Sequence, residues 1–141
     1  MAREESLRSI SLKADSSIAV YTGVSGQPGS PVDNAGFQYR FVKVTGTNTA
    51  GLCTAAANEV PIGVLQSKPQ YLNNGATVGI HGVSKVRGGG VVAAGNAIKI
   101  DSVGRGVAAT LPADAALVVG IALDACAAAD DLFTVLLTTK A

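Results

Sequence analysis

The sequence predicts an all-β protein, a small β-barrel or sandwich with an internal pseudo-repeat, an extended N-terminal arm and at most one or two short helices. Short runs of β-branched residues recur roughly every 8–12 residues between turns rich in Gly, Asn and Asp. No window of useful length places apolar residues at helical spacing. In addition, one stretch of the chain occurs twice, which favours a pseudo-symmetric β architecture.

The repeat is clearest between residues 62–80 and residues 119–137. In both copies, a glycine near the start of one strand lies 14 positions before a threonine in the next. The matching positions are Gly63 and Gly120, Thr77 and Thr134, Asn73-Asn74 and Asp130-Asp131, Gly51 and Gly106, and Phe41–Val44 and Ala97–Ile100. The sequence therefore predicts two related halves, about 41–80 and 97–137, within one domain.

Residues 1–36 predict an N-terminal arm and a tether. Apolar and polar residues alternate over 9–14, as in a half-buried strand, and Ile18–Val24 is rich in β-branched residues, as in a second strand. Residues 23–36 contain four glycines and two prolines and are typical of a flexible connector. Such an arm suits the addition of a strand to the open sheet edge of a partner. The alternative, which the sequence leaves open, is that both strands pair within the protein's own barrel.

Residues 37–141 form the predicted barrel domain. Its strands are bounded by glycine, asparagine or aspartate turns. They cover 37–42, 62–66, 77–86, 91–94, 97–100, 107–111, 117–123 and 132–138. The sequence allows one helical turn at 112–116 and a short helix at 124–131.

The composition favours assembly over a free monomer. Charged residues make up 15% of the chain, against about 25% in an average soluble domain. A net charge of +1 and an aromatic content of 4% provide neither the basic surface nor the stacking platform that nucleic-acid binding needs. The first residues are polar, and the longest apolar stretch, Ala115–Leu123, is too short to span a bilayer. We therefore expect synthesis in a cytoplasm and no direct contact with nucleic acid or membrane.

Candidate chemical sites are few. His81 is the single histidine, and a lone histidine favours a surface or structural role over metal binding. The glycine clusters at 88–90 and 104–106 do not continue into a phosphate-binding pattern and are expected to be turns. Asp130-Asp131 coincides with Asn73-Asn74 of the first copy, which makes it a turn position rather than a cation site. We predict no enzymatic activity, no metal and no cofactor.

Four segments of the chain carry a family resemblance. They are Pro61–Leu65, Gly95–Asp101 with Gly104-Arg105, Val119–Asp124 and the strand Phe133–Leu137. In their glycine and apolar positions they resemble tailed-bacteriophage head decoration (capsid cement) proteins, over roughly residues 37–141. The resemblance implies a virion protein, a homotrimer on the exterior of the expanded capsid. There it would bind the major capsid protein and stabilise the shell against internal DNA pressure.

On this interpretation the arm supplies the capsid contacts. The residues expected to make them are Leu7, Arg8, Ile10, Leu12, Lys13, Ile18 and Val20. Two alternatives stay open: another phage structural β-module, tail-tube or fibre-associated, and a ligand-binding or hydrolytic β-barrel. The lack of a sequence motif that combines histidine, carboxylate and nucleophile argues against the last class.

Overall fold

The computed structural model describes residues 5–21 and 36–138 of the 141-residue chain. The described part contains nine strands and one short 3₁₀ turn, Ala115–Leu117. The strands are β1 (Glu5–Ala14), β2 (Phe41–Gly46), β3 (Thr49–Leu52), β4 (Pro61–Leu65), β5 (Gly75–Arg87), β6 (Ala97–Ile100), β7 (Gly106–Ala108), β8 (Gly120–Ala122) and β9 (Leu132–Leu137). The predicted fold class, all-β with a small barrel, is confirmed. Residues 91–94, expected as a strand, and residues 124–131, where the sequence allowed a short helix, share one bridge, between Val92 and Cys126. The remaining residues of both segments lie in turns, bends and irregular backbone.

Five strands close the first barrel. β1 runs parallel to β3. The next three pairings, of β3 with β2, β2 with β4 and β4 with β5, are antiparallel. The closing pairing joins residues 75–83 of β5 to residues 5–13 of β1. Each wall strand therefore has a neighbour on both sides, which satisfies the backbone groups that an open edge would expose.

The second barrel uses the other half of β5. Residues 82–87 of β5 pair with β9, and the sheet continues through β8 and β6 to β7. A parallel bridge between Gly88 and Gly106 brings β7 back to the end of β5. The 13-residue β5 is thus a wall that both barrels share.

The hydrogen-bond register of the first barrel recurs in the second. The equivalent pairs, first barrel then second, are Val42↔Gly63 and Ile98↔Gly120, Val64↔Gly79 and Ile121↔Leu136, and Leu65↔Val78 and Ala122↔Val135. The turns match as well, since Asn73 and Asp130 both have positive φ, 67° and 70°. One assignment made from the sequence shifts by a position: Gly106 matches Ala50 rather than Gly51, because these residues hold the same place in the β7 and β3 ladders.

The repeat includes β1, which the sequence placed in a separate arm. Ala14 of β1 lies opposite Ala50 in a parallel pairing, and Gly88 after β5 lies opposite Gly106 in the same way. The second half of β5 therefore occupies in the second barrel the place that β1 has in the first. The sequence left open whether the strand of the predicted arm pairs with a partner or within its own barrel, and the structure has the second: β1 is a wall of the first barrel. The predicted tether 23–36 lies, apart from Gly36, outside the described residues.

Two apolar clusters fill the barrels. One occupies the first barrel and includes Ile18, which lies in a turn after β1 rather than in the strand predicted there. The other occupies the second barrel, where Phe133 is fully buried, and it extends to Phe41 and Val64 of the first. Because this second cluster contains residues of both halves, the two barrels share part of their core.

Each barrel anchors a loop with an equivalent ion pair. In the first barrel, Lys43 of β2 donates to Glu59 in the loop after β3 at 2.7 Å. In the second, Lys99 of β6 donates to Asp114 in the loop after β7 at 2.8 Å. Each carboxylate also accepts the main-chain N–H of a threonine early in its loop. These bonds fix the two loops relative to their sheets.

We expect the free energy of unfolding to fall in acid because of these two carboxylates. Burial opposes ionisation of Glu59, but hydrogen bonds from Lys43 and from main-chain N–H groups outweigh it and lower its pKa; the bond from Lys99 lowers the pKa of Asp114. A carboxyl with a lowered folded-state pKa contributes stability that is fully present above its unfolded pKa, about 4, and is lost as the pH falls through the folded value. Urea midpoints measured from about pH 7 down to pH 3 test this. Glu59→Gln should lower the midpoint at neutral pH and reduce its dependence on acid, and an unaltered dependence would contradict the assignment.

Candidate functional site: a groove between the two barrels

A groove of about 1440 Å³ lies where the two barrels meet. It is lined by the middle of β5, the end of β9, the loop 55–60 that leads into β4, and the 3₁₀ turn that precedes β8. β1 contributes Arg8 and Ile10. The two loops in this lining are those held by the equivalent lysine–carboxylate pairs, so the same local device positions both.

The apolar lining of the groove repeats at equivalent positions of the two halves. The pairs are Val60 and Leu117, Ile62 and Val119, and Ile80 and Leu137. They follow from the matched register of β4 with β5 and of β8 with β9. Duplication therefore builds a pseudo-symmetric apolar surface to which both barrels contribute.

Several of these side chains are open to solvent. Val60 is 71% exposed, Leu117 55% and Ile10 40%. Scattered exposed apolar residues are common, but a cluster within one large concave surface indicates a binding site. The arrangement suits an apolar segment of another macromolecule.

Polar groups line part of the groove. Arg8 lies opposite His81 in the β1–β5 ladder, and both residues are exposed. The negative charge of Glu59 is compensated by Lys43 and by main-chain N–H groups. Arg8 therefore adds positive charge to a surface whose carboxylate is already paired, which favours an acidic group on the ligand.

Three of the residues predicted from sequence to touch a capsid are accessible. Arg8 and Ile10 lie together in the groove. Lys13 is exposed near the end of β1, opposite Thr49 of β3. The structure thus brings two of the predicted residues to one surface and leaves the third outside it.

The other four predicted contact residues pack inside the protein. Leu7 and Leu12 are partly buried against the two core clusters. Ile18 is 0% exposed and Val20 4%. The prediction that Ile18 and Val20 contact a capsid is corrected, because buried side chains have no surface to offer a partner.

Side chains that could bind a metal or act as nucleophiles have structural roles or are buried. Within residues 5–21 and 36–138, no three His, Cys, Asp or Glu side chains lie together as metal ligands would. Asp130 sits at a turn and pairs with Arg105 at 3.2 Å. Cys53 and Cys126 are free and buried, and burial raises the pKa of Cys53 to about 12, which disfavours the reactive thiolate. Over the same described ranges, no helix is long and apolar enough to cross a membrane.

A second apolar surface lies on the outside of the second barrel. We call it the leucine face; it consists of Ile121, Leu123, Leu132 and Leu136, each 38–40% exposed. The equivalent positions of the first barrel are Val64, Gln66, Gly75 and Gly79. The sequence analysis did not find this surface, because it compared the two copies only for the residues that they share. Comparing the copies for their differences would have found it, since leucine replaces glutamine or glycine at three positions.

The comparisons with known proteins point to one architecture. No family model matches the chain, and no curated protein matches it. Among solved structures, the chain is similar to the N base of head fiber gp8.5 of bacteriophage phi29, with a TM-score of 0.62 over 94% of each chain. The two sequences are 16% identical, so the likeness shows the fold alone. This fold therefore extends along nearly the whole of both chains.

Proposed function

We propose that this chain is a structural, non-enzymatic protein of a phage virion. It binds the outside of the expanded head as a homotrimer and stabilises the shell against internal DNA pressure. The observation that carries the proposal is the full-length likeness to the base of a phage head fiber. The resemblance of four sequence segments to head decoration proteins supports the same assignment independently.

We place the contact with the major capsid protein in the groove. Its 20 lining residues match one side of a standard protein interface, about 20–30 residues. An apolar centre with a polar rim is the usual composition of interfaces between proteins that also exist apart. Arg8 and Ile10 are then the capsid-binding residues of β1, and an acidic, partly apolar segment of the capsid protein is the partner that fits them.

Trimerisation would strengthen this contact. Three grooves held together engage a shell with an affinity far above that of a single groove. A protein that binds only the expanded shell stabilises that state by mass action. The low charge content, 15%, is consistent with a chain that covers part of its surface in such contacts.

Ile10→Asp should weaken binding to expanded capsids at least tenfold, because it places a carboxylate in the apolar part of the groove. Co-sedimentation with purified expanded heads measures the effect. Ser9→Asp is the matched control, since Ser9 is the exposed neighbour on β1 and does not line the groove. Equal binding by Ile10→Asp and wild type would remove the groove from the interface. Failure of the wild type to bind any head would overturn the proposed function.

The likeness to a fiber base also favours a second candidate, a fibre-associated module of the head. The two functions differ in what lies above the protein on the virion. Electron microscopy of virions labelled through this chain distinguishes them, because a fibre base lies beneath a projection and a decoration protein forms the outermost layer itself.

A further inference from the structure

We infer that the leucine face is the surface through which copies of this chain contact one another. The inference rests on the proposed function, which supplies the trimer, and it assigns a surface to the contact that the trimer needs. The groove and the leucine face would then have separate partners: the capsid protein in the groove, and identical copies on the outer sheet of the second barrel.

The duplication provides an internal reference for what the fold itself requires. Inward positions are apolar in both barrels, as with Leu65 and Ala122 or Val78 and Val135. Outward positions differ, because Gln66, Gly75 and Gly79 of the first barrel correspond to leucines of the second. The first barrel closes without leucine at these positions. Barrel closure therefore does not explain the exposed leucines of the second barrel.

The leucine face is continuous and apolar, and two cations border it on β5, where Lys85 and Arg87 lie opposite Thr134 and Leu132. Ile121 and Leu136 lie directly opposite each other, and Val83 of β5 lies opposite Leu136 on its other side, so one apolar row crosses three strands. Thr134, between Leu132 and Leu136 on the same side of β9, is 1% exposed and donates its hydroxyl to Asp124. The polar group at the centre of the surface is thus already satisfied, and the four side chains of the leucine face offer a partner an apolar contact.

This composition fits a second copy better than the capsid protein. Permanent contacts between identical subunits are more apolar than contacts between proteins that form and part. The four side chains of the leucine face are apolar, with Lys85 and Arg87 at their border, whereas the groove lining itself contains Arg8, Glu59 and His81.

The leucine face is the centre of the contact between copies and not the whole of it. Four side chains fall well short of the roughly 20–30 residues that each partner of a standard pairwise interface provides. Around a three-fold axis, each face is covered by two neighbours, and the three small faces combine into one apolar centre. Residues around the leucine faces then enlarge the interface, which has the leucine faces at its centre.

The double variant Ile121→Ser, Leu136→Ser tests the inference. Light scattering should show loss of the trimer, with self-association weakened at least a hundredfold. Val44→Ser, in the first barrel and 55% exposed, is the control and should remain trimeric. A urea midpoint close to that of wild type establishes that the double variant is folded. Its monomers should still bind expanded heads, but at least tenfold more weakly, because the groove is intact and the avidity is lost.

Cross-linking provides a test that does not disrupt the surface. Ile121→Cys treated with a short bismaleimide should give covalent dimers on a denaturing gel, since the face of one copy meets that of the next. Cys53 and Cys126 are buried and contribute little background. Val91→Cys, at a position 77% exposed outside the leucine face, should give monomers.

The outcomes separate this inference from the proposed function. A double variant that stays trimeric overturns the leucine face as the contact, while wild-type binding to heads leaves the proposed function standing. A wild-type trimer that binds no head overturns the proposed function and leaves the leucine face in place. A wild-type protein that is monomeric at high concentration overturns the inference.

Discussion

Gly63→Ala should destabilise the protein by about 3 kcal/mol, the upper end of the usual cost of overpacking and a large share of the roughly 5–15 kcal/mol that holds a domain folded. A Cβ atom at Gly63 would fall on the carbonyl oxygen of Gly79 in the adjacent strand β5. The obstructing atom belongs to the backbone, so no rotamer change relieves the clash and β4 must move away from β5. In a closed barrel that movement strains the pairing of β4 with β2 on its other side. Urea unfolding followed by circular dichroism measures the loss.

Gly75→Ala is the matched control, in β5 of the same barrel. Nothing lies within 4 Å of a Cβ built at Gly75, and its equivalent in the second barrel is Leu132. We expect a change within about 0.5 kcal/mol, or a slight gain from the stiffer unfolded chain. Gly120→Ala should resemble Gly63→Ala in sign, since its Cβ would approach the Leu136 carbonyl oxygen to 2.7 Å. A urea midpoint for Gly63→Ala equal to that of Gly75→Ala would contradict this explanation of the glycine at position 63.

Local pattern predicted the strands of the repeat, but it could not place β1. Alternation over residues 9–14 correctly indicated a strand. Whether that strand pairs with its own barrel or with a partner depends on contacts between residues far apart in sequence, here β1 with β5 and β3. The sequence repeat did not reveal β1 either. Its counterpart in the second barrel is the second half of β5, and β5 was already assigned to the first copy of the repeat. A deletion of residues 1–22 would therefore remove a barrel wall, and point substitutions are the sharper test of β1.

The candidate site was predictable only in part, for a related reason. Arg8 and Ile10 were identified because they belong to the predicted arm, whose apolar and basic residues were expected to contact the capsid. The groove itself combines Val60 with Leu117 and Ile80 with Leu137, and these pairs come together only when both copies fold around a shared strand. Buried members of the same predicted set, such as Ile18, have the same residue types as the accessible ones. Burial, which decides between them, is set by the closed barrel and not by the local sequence.

Phe133→Ala should lower the free energy of unfolding by about 3–5 kcal/mol, and it should do so for both barrels at once. Phe133 is fully buried in the cluster that also contains Phe41 of the first barrel. Its strand, β9, pairs with β5, which is a wall of both barrels. Tyr39 packs against the core cluster of the second barrel, so it is replaced by phenylalanine in the proteins compared. The fluorescence of Tyr21 and Tyr71, whose rings stack with centroids 5.5 Å apart, then reports on the first half.

Unfolding followed by tyrosine fluorescence and by circular dichroism should therefore shift together in Phe133→Ala, although the substitution lies in the other barrel. Val91→Ala is the control in the second half, 77% exposed, and should change either midpoint by less than about 0.5 kcal/mol. A tyrosine transition that stays at the wild-type midpoint while the circular dichroism transition moves would show that the barrels unfold separately. A shared strand and a shared core predict the opposite, because neither barrel keeps a complete wall when the other is lost.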